Sequence, residues 1–268
     1  MAVVRELITY PIKGCAGVAL GEARLTEAGL AHDRAFMVVS EDGVFRTLRT
    51  HPRLALAAPV VDGDRLTLRA HGARELEFEF AVDGPRRDVT LFGAPFQGID
   101  QGDEAAAWFS ALLGEPSRLV RVPPDHDRVT DGETPGTSGY ADSGAVHALS
   151  LASLDELNRR LERPLPLARF RPNIVIGGWD EPHAEDLVRR VVVGNTELAF
   201  AKLAVRCVVT TVDTERGVKA GPEPLRTLAT YRRAAKGVIL GTKFSVVRTG
   251  KIAVGDALDV TAWAEPAS

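Results

Sequence analysis

The chain is poor in the residues from which metal and redox sites are usually built. It has two cysteines, Cys15 and Cys207, in 268 residues. That excludes a four-cysteine zinc or iron–sulfur site within the chain, so any redox chemistry must draw its electrons from another molecule. With no leader pattern over Met1 to Tyr10, it also argues against a disulfide framework and for a reducing, cytoplasmic setting. The six histidines are scattered and never at ligand-pair spacing, which leaves a zinc site without donors. No apolar run approaches the ~20 residues needed to cross a bilayer, so no membrane partner is expected. An excess of basic charge is missing too. The net charge of −3 argues against a nucleic-acid partner held by bulk electrostatics. Generic catalytic signatures are absent: there is no nucleophile elbow, no dinucleotide fingerprint and no phosphate loop. Gly237 to Lys243 looks superficially like the last, but its spacing is wrong and its centre reads as strand.

What is present is an ordinary globular chain, 45% hydrophobic and 26% charged, long enough for two modest domains or one large one. The first ~100 residues alternate like strands, as at Ala35 to Ser40, Arg65 to Arg69, Glu75 to Phe80 and Val89 to Phe92. Asp-Gly turns at 42–43, 62–63 and 83–84 separate them. Short strands at this spacing suggest a β-barrel or sandwich. Asp103 can cap a helix from Glu104 to Leu113, with Gly114 as its stop. A second helix is expected from Ser153 to Leu161, with Ser153 and Glu156 as a capping box, and a third from Pro224 to Tyr231. Strands return at Asn173 to Ile176, Arg190 to Val193, Glu197 to Phe200, Ala204 to Asp213, Val238 to Val247 and Asp256 to Thr261. The segment from Pro123 to Gly144 lacks periodicity and reads either as a functional lid or as a disordered surface tether over Asp125 to Ser138.

Cys207 lies in Ala204-Val-Arg-Cys-Val-Val-Thr-Thr-Val-Asp213, beside Arg206. A neighbouring guanidinium favours thiolate, which is both a nucleophile and a soft metal ligand. The plain alternative is a small hydrophobe in a core. Other basic residues sit beside turns or strand ends: Lys13, Arg34, Arg169 and Arg171. Each alone is a solvated surface charge, whereas several meeting at one thiol would make a pocket for an anionic ligand such as a phosphate. The pair His32-Asp33 reads as an exposed turn, and His51 before Pro52 as a turn residue rather than a base.

Larger motifs carry a resemblance. Tyr10-Pro-Ile-Lys-Gly-Cys15, Gly29-Leu-Ala-His-Asp-Arg-Ala-Phe36 and Thr47-Leu-Arg49 resemble the N-terminal β-barrel domain of MOSC proteins. Phe170-Arg-Pro-Asn-Ile-Val175, Arg206-Cys-Val-Val-Thr-Thr-Val-Asp213, Glu223-Pro-Leu-Arg-Thr-Leu228 and Gly250-Lys-Ile-Ala-Val-Gly-Asp256 resemble the MOSC domain itself. The nearest likeness is to the amidoxime-reducing component family and its bacterial relatives. It implies an α+β, mainly β fold: an N-terminal β-barrel domain over 1–120, then a MOSC-type β-barrel domain with a few packed helices over 121–268.

The resemblance further implies the molybdenum cofactor (Mo-molybdopterin), with Cys207 as the metal ligand and catalytic residue. Lys13, Gly14, Arg34, Ser143, Gly144, Arg171 and Arg206 match positions that hold the pterin and its phosphate; Cys15 matches a structural cysteine. Lys243 stands where a relative has a tyrosine, and can still reach a phosphate. Val205 stands where a serine hydroxyl would be expected. The implied reaction reduces N-hydroxylated compounds to amines and water as molybdenum cycles between +6 and +4. No C-terminal ferredoxin domain like that of one bacterial relative is present, so the expected donor is a separate flavin or iron–sulfur reductase. Pyridoxal phosphate is not expected. Asp142 and Asp213 are candidate proton donors. A cofactor or persulfide carrier without turnover remains open, because one scaffold hosts several roles.

Overall fold

The computed structural model describes residues 1–265. Alternating sequence becomes strand nearly everywhere it occurs, and one strand shows how. In Val3–Thr9 the buried Val4 and Leu7 are three apart, out of phase for a regular strand. A bulge between Val4 and Glu6, opposite Ile174–Gly177, returns both to the inner face.

That strand belongs to a nine-stranded sheet. Its order is Val18–Leu20, Val3–Thr9, Ile174–Gly177, Val146–Ser150, Gly237–Arg248, Thr196–Val205, Val188–Val193 and Leu258–Trp263, with Arg233–Ala234 pairing on Gly237–Arg248. The first two strands therefore lie among strands of the second half of the sequence. All pairings are antiparallel except Val146–Ser150 with Ile174–Gly177. A parallel pair needs a crossover, here supplied by a helix over Leu151–Arg160. Its Leu154 and Leu157 pack on Leu149, Phe170, Leu228 and Leu240.

Other first-half strands form a four-stranded sheet (Phe36–Val39, Arg118–Arg121, Ala94–Asp100, Arg86–Leu91) and a meander (Ala58–Asp62, Arg65–Arg69, Leu76–Glu79), while Glu22–Thr26 and Gly29–Leu30 join Gly250–Ala253 in a three-stranded sheet. The helix Gly102–Leu113 lays Ala105, Trp108, Phe109 and Leu112 on Phe36, Leu54, Leu66 and Leu68. A third helix spans Leu225–Tyr231. The chain is thus mainly β with a few packed helices, as the sequence leads one to expect.

Several local expectations are corrected. The strand before Cys207 ends at Val205, and a 3-10 turn covers Val208–Thr211. The Thr210 amide and hydroxyl both donate to the Cys207 carbonyl, and the Thr211 hydroxyl to that of Val208. Hydroxyls competing for nearby backbone acceptors override the β-propensity of the valines. The Leu151–Arg160 helix starts earlier than its proposed capping box, because Ser150 is the cap and accepts from the Ser153 amide at 3.1 Å. Ser153 is instead buried inside, donating to Glu185 at 2.9 Å. Asp103 is not a cap either; it sits in the first helical turn and pairs with Arg118 at 3.0 Å. The 125–138 segment is packed rather than a tether. Val129–Thr130 pairs with Gly136–Thr137, Ser245 donates to the Thr134 carbonyl at 2.7 Å, and Thr130 and Ser138 are buried.

Candidate active site

The site begins where the first strand ends. Past Thr9 the chain turns through Tyr10 to Cys15, and a second turn at His32–Arg34 meets it, with φ of 65° at His32 and 47° at Arg34. Asp33 joins them. Far from an exposed turn residue, it is 6% exposed. It accepts from the Tyr10 amide at 2.8 Å, the Asn173 side chain at 2.9 Å and Arg34 at 2.6 Å. Buried carboxylates persist only when so paired. Asn173 completes the knot by accepting from Arg34 and from the His147 amide, both at 3.1 Å, while donating to the Ile8 carbonyl at 3.1 Å. The Arg34 guanidinium is thereby aimed, and its other arm donates to the Arg171 carbonyl at 3.3 Å.

Arg171 also has a left-handed backbone, φ 56°. One guanidinium nitrogen donates to the Cys15 carbonyl at 2.7 Å, while Nη2 is buried without a partner. Arg34 and Arg171 both lie 4.3 Å from the centre of the Tyr10 ring, an arrangement that helps hold two cations close together. Cys15 is fully buried, and burial pushes its thiol up to about 12. It is structural, as expected.

Arg206 donates to the Phe170 carbonyl at 2.8 Å and faces His147 Nε2 at 3.4 Å, with its own Nε buried and unpartnered. His147 Nδ1 lies 3.3 Å from the Arg171 carbonyl. A carbonyl only accepts and a guanidinium only donates, so His147 is neutral and carries its proton on Nδ1. Burial, then Lys243 and Arg206, keep it well below the usual histidine range. Burial also draws Arg206 down to about 10, and with Arg34 and Arg206 pushes Lys243 down to about 7. Among the described residues no carboxylate pairs with Arg171, Arg206 or Lys243.

These groups line one cleft of about 840 Å³, counted to its open mouth. Cys207, partly exposed, opens into it from an extended backbone (φ −125°). Lys13 reaches the Tyr140 carbonyl at 2.9 Å and pairs with Asp142. Desolvation works against the Asp142 charge, but Lys13, with Lys243 and Arg34, holds its carboxyl well below the usual range. Gly14 (φ 85°) and Gly144 (φ 80°) turn the chain at the rim, in a conformation that favours glycine.

All nine residues singled out from sequence (Lys13, Gly14, Arg34, Ser143, Gly144, Arg171, Arg206, Cys207, Lys243) border this cleft. Arg169 does not, and neither does His51, which accepts or donates at Glu115 and Thr50. Asp213 lies outside too; its carboxylate accepts from the Glu215 and Arg216 amides and caps a turn. The sequence reading missed His147 and Asn173 as cleft residues, and missed Arg49, whose Nη2 lies 3.6 Å from Cys207 Sγ. Arg49 closes the Thr47-Leu-Arg motif, but nothing in that motif tells which way its side chain points.

The MOSC N-terminal beta barrel domain matches residues 1–116, and the MOSC domain matches 135–259. Mitochondrial amidoxime-reducing component 1 of Mus musculus is 36% identical over 275 residues, covering 94% of this chain and 80% of that protein. Mitochondrial amidoxime reducing component 2 of Rattus norvegicus is 35% identical over 276 residues, covering 94% and 81%. Component 1 of Homo sapiens is 35% identical over 275 residues with the same coverage. Two consecutive domain matches and these near full-length relatives make the chain a member of the MOSC family, allied along most of its sequence to the amidoxime-reducing components.

Proposed function

We propose that this protein binds the molybdenum cofactor through Cys207 and reduces N-hydroxylated compounds to amines, with electrons from a separate flavin or iron–sulfur reductase. The observation that carries the reading is the pairing of an open thiol with three cations, Arg171, Arg206 and Lys243, that lack carboxylate partners. The residues fit such a group. A thiolate suits a soft metal, and the buried unpartnered Arg171 Nη2 and Arg206 Nε are donors in want of an anion. When bound, the cofactor supplies the two-electron step that cleaves the N–O bond.

This chain supplies the rest. Lys13, Gly14, Arg34, Ser143, Gly144, Arg171, Arg206 and Lys243 would hold the pterin and its phosphate, with the Asp33–Asn173 knot fixing Arg34 beneath. Of the two candidate carboxylates only Asp142 borders the cleft. Paired with Lys13 and held well below the usual carboxylate range, it stays ionised near neutral pH and positions Lys13 rather than supplying the proton. Neutral His147, fully committed to Arg171 and Arg206, orients rather than donates. Both thiols are unpaired, in keeping with a reducing compartment, and we place the protein in the cytosol. The relatives named above are mitochondrial by name. Among the described residues no helix is long and apolar enough to cross a membrane.

The test is turnover. Protein purified from a host that makes the cofactor, with a chemical reductant, is expected to convert an amidoxime to the amidine, and Cys207→Ser to abolish this. Fully loaded protein that converts neither amidoximes nor hydroxylamines would contradict the proposed substrate class. Persulfide on Cys207 without molybdenum would instead support a sulfur carrier.

A further inference from the structure

The hairpin joining Arg86–Leu91 to Ala94–Asp100 closes at Phe92 and Gly93, whose φ angles are 52° and 83°. Two consecutive positive φ values define the two-residue turn that favours Asn-Gly. A phenylalanine there is unfavourable twice over. Its backbone is strained, and its ring is 45% exposed at a loop tip. The turn itself gives no reason for it.

Its position does. The Phe92 ring packs edge-on against Phe45 at 4.9 Å and lies 4.9 Å from Lys13 Nζ and 5.7 Å from the Arg49 guanidinium. Arg49 in turn touches Cys207 Sγ. One guanidinium therefore separates the ring from the thiol. Next to Cys207 in sequence, Val205 and Val208 are 45% and 49% exposed. Val205 borders the cleft, and Phe92, Phe45 and Val208 stand just outside its lining, Phe92 beside Lys13, so the approach to a cationic cleft is flanked by apolar groups, one of them aromatic and buttressed by a second ring.

We propose that Phe92, backed by Phe45, is a specificity-determining wall that favours N-hydroxylated compounds conjugated to a flat aromatic ring over their alkyl counterparts. The inference rests on the functional reading above and goes beyond it by naming the substrate class. With the N–OH group at the Cys207 end of the cleft, a planar substituent reaches back to the ring and stacks on it. The reaction is unchanged: the N–O bond breaks, two electrons and two protons enter, and N–H and water form.

The test compares kcat/KM for benzamidoxime and acetamidoxime, with reduced viologen as electron donor and rates expressed per bound molybdenum. Phe92→Asn places at the tip the residue the turn itself favours, so the hairpin is kept while the ring is lost. The aryl-to-alkyl ratio is expected to fall about tenfold in Phe92→Asn and to be retained in Phe92→Tyr, the scale of one aromatic contact. A ratio held within about twofold in Phe92→Asn, whatever the absolute rates, would overturn the proposal, as would equal loss in Phe92→Tyr. If the loaded wild-type protein reduced neither compound, the functional reading would fall, and the wall with it.

Discussion

Lys243 is the residue on which the electrostatics of the cleft turn. Burial and two guanidinium groups bring it to about 7 from its ordinary 10.5. The folded state thus disfavours its charge, and the unfolded chain binds more protons across that interval. Stability of the metal-free protein should therefore rise with pH from about 7 upward, and Lys243→Met should flatten the rise. An anion in the cleft works the other way, favouring the charged form. Sulfate stays a dianion between about pH 6 and about pH 9, so its binding should weaken over that range in wild type and change little in Lys243→Met. Thermal shift with and without sulfate checks both arms; equal pH dependence in the two proteins would contradict the assignment. At this scale the sequence points to residues that border the cleft but not to how they meet. Lys13, Arg34, Arg171 and Cys207 stand in motifs that can be read, whereas His147 reaches the cleft, and Arg49 the Cys207 thiol, only through strand register and side-chain direction.

At the scale of elements, the Asp33–Asn173 knot does most of the positioning. It ties the end of Val3–Thr9, the turn before Phe36–Val39 and the lead-in to Ile174–Gly177. Asp33→Ala leaves the Tyr10 amide, Arg34 and the Asn173 side chain short of an acceptor, and is expected to cost about 3 to 5 kcal/mol in urea unfolding. A loss below about 1 kcal/mol would mean that water replaces the carboxylate. The elements themselves were mostly legible, because their apolar periodicity is strong. Legibility failed where polar side chains compete with the backbone. Thr210 and Thr211 turn the chain after Cys207, Ser150 rather than Ser153 caps its helix, and Asp33 is buried because three donors converge on it. Only the bonds to Asp33 from the Tyr10 amide and the Asn173 side chain span the sequence; the others lie within three residues, where apolar periodicity says nothing of which polar group wins.

For the molecule as a whole, strand order matters more than sequence order. Val4, Leu7, Leu25 and Leu30 belong to the same core cluster as Val146, Ile174, Leu198 and Phe244. Val3–Thr9 covers an edge of Ile174–Gly177, and Glu22–Thr26 pairs with Gly250–Ala253. Residues 121–268 expressed alone would lose those side chains, each worth about 1.5 to 3 kcal/mol when buried, and gain an open strand edge. We expect no cooperative unfolding transition and poor amide dispersion by NMR; a sharp two-state melt would contradict this. The arrangement also explains why the cleft has walls from both halves. Lys13, Gly14 and Arg34 come from the beginning of the chain, and Cys207 and Lys243 from its second half.

The central claim is that Cys207 holds molybdenum in this cleft. Elemental analysis of protein from a molybdenum-replete host tests it most directly, with wild type and Cys207→Ser side by side. The account predicts near-stoichiometric molybdenum in wild type and, because a neutral hydroxyl is a poor ligand for a soft metal, none in the serine variant, with the fold left intact. Full molybdenum in Cys207→Ser, or none in wild type from a host proven to make the cofactor, would contradict it.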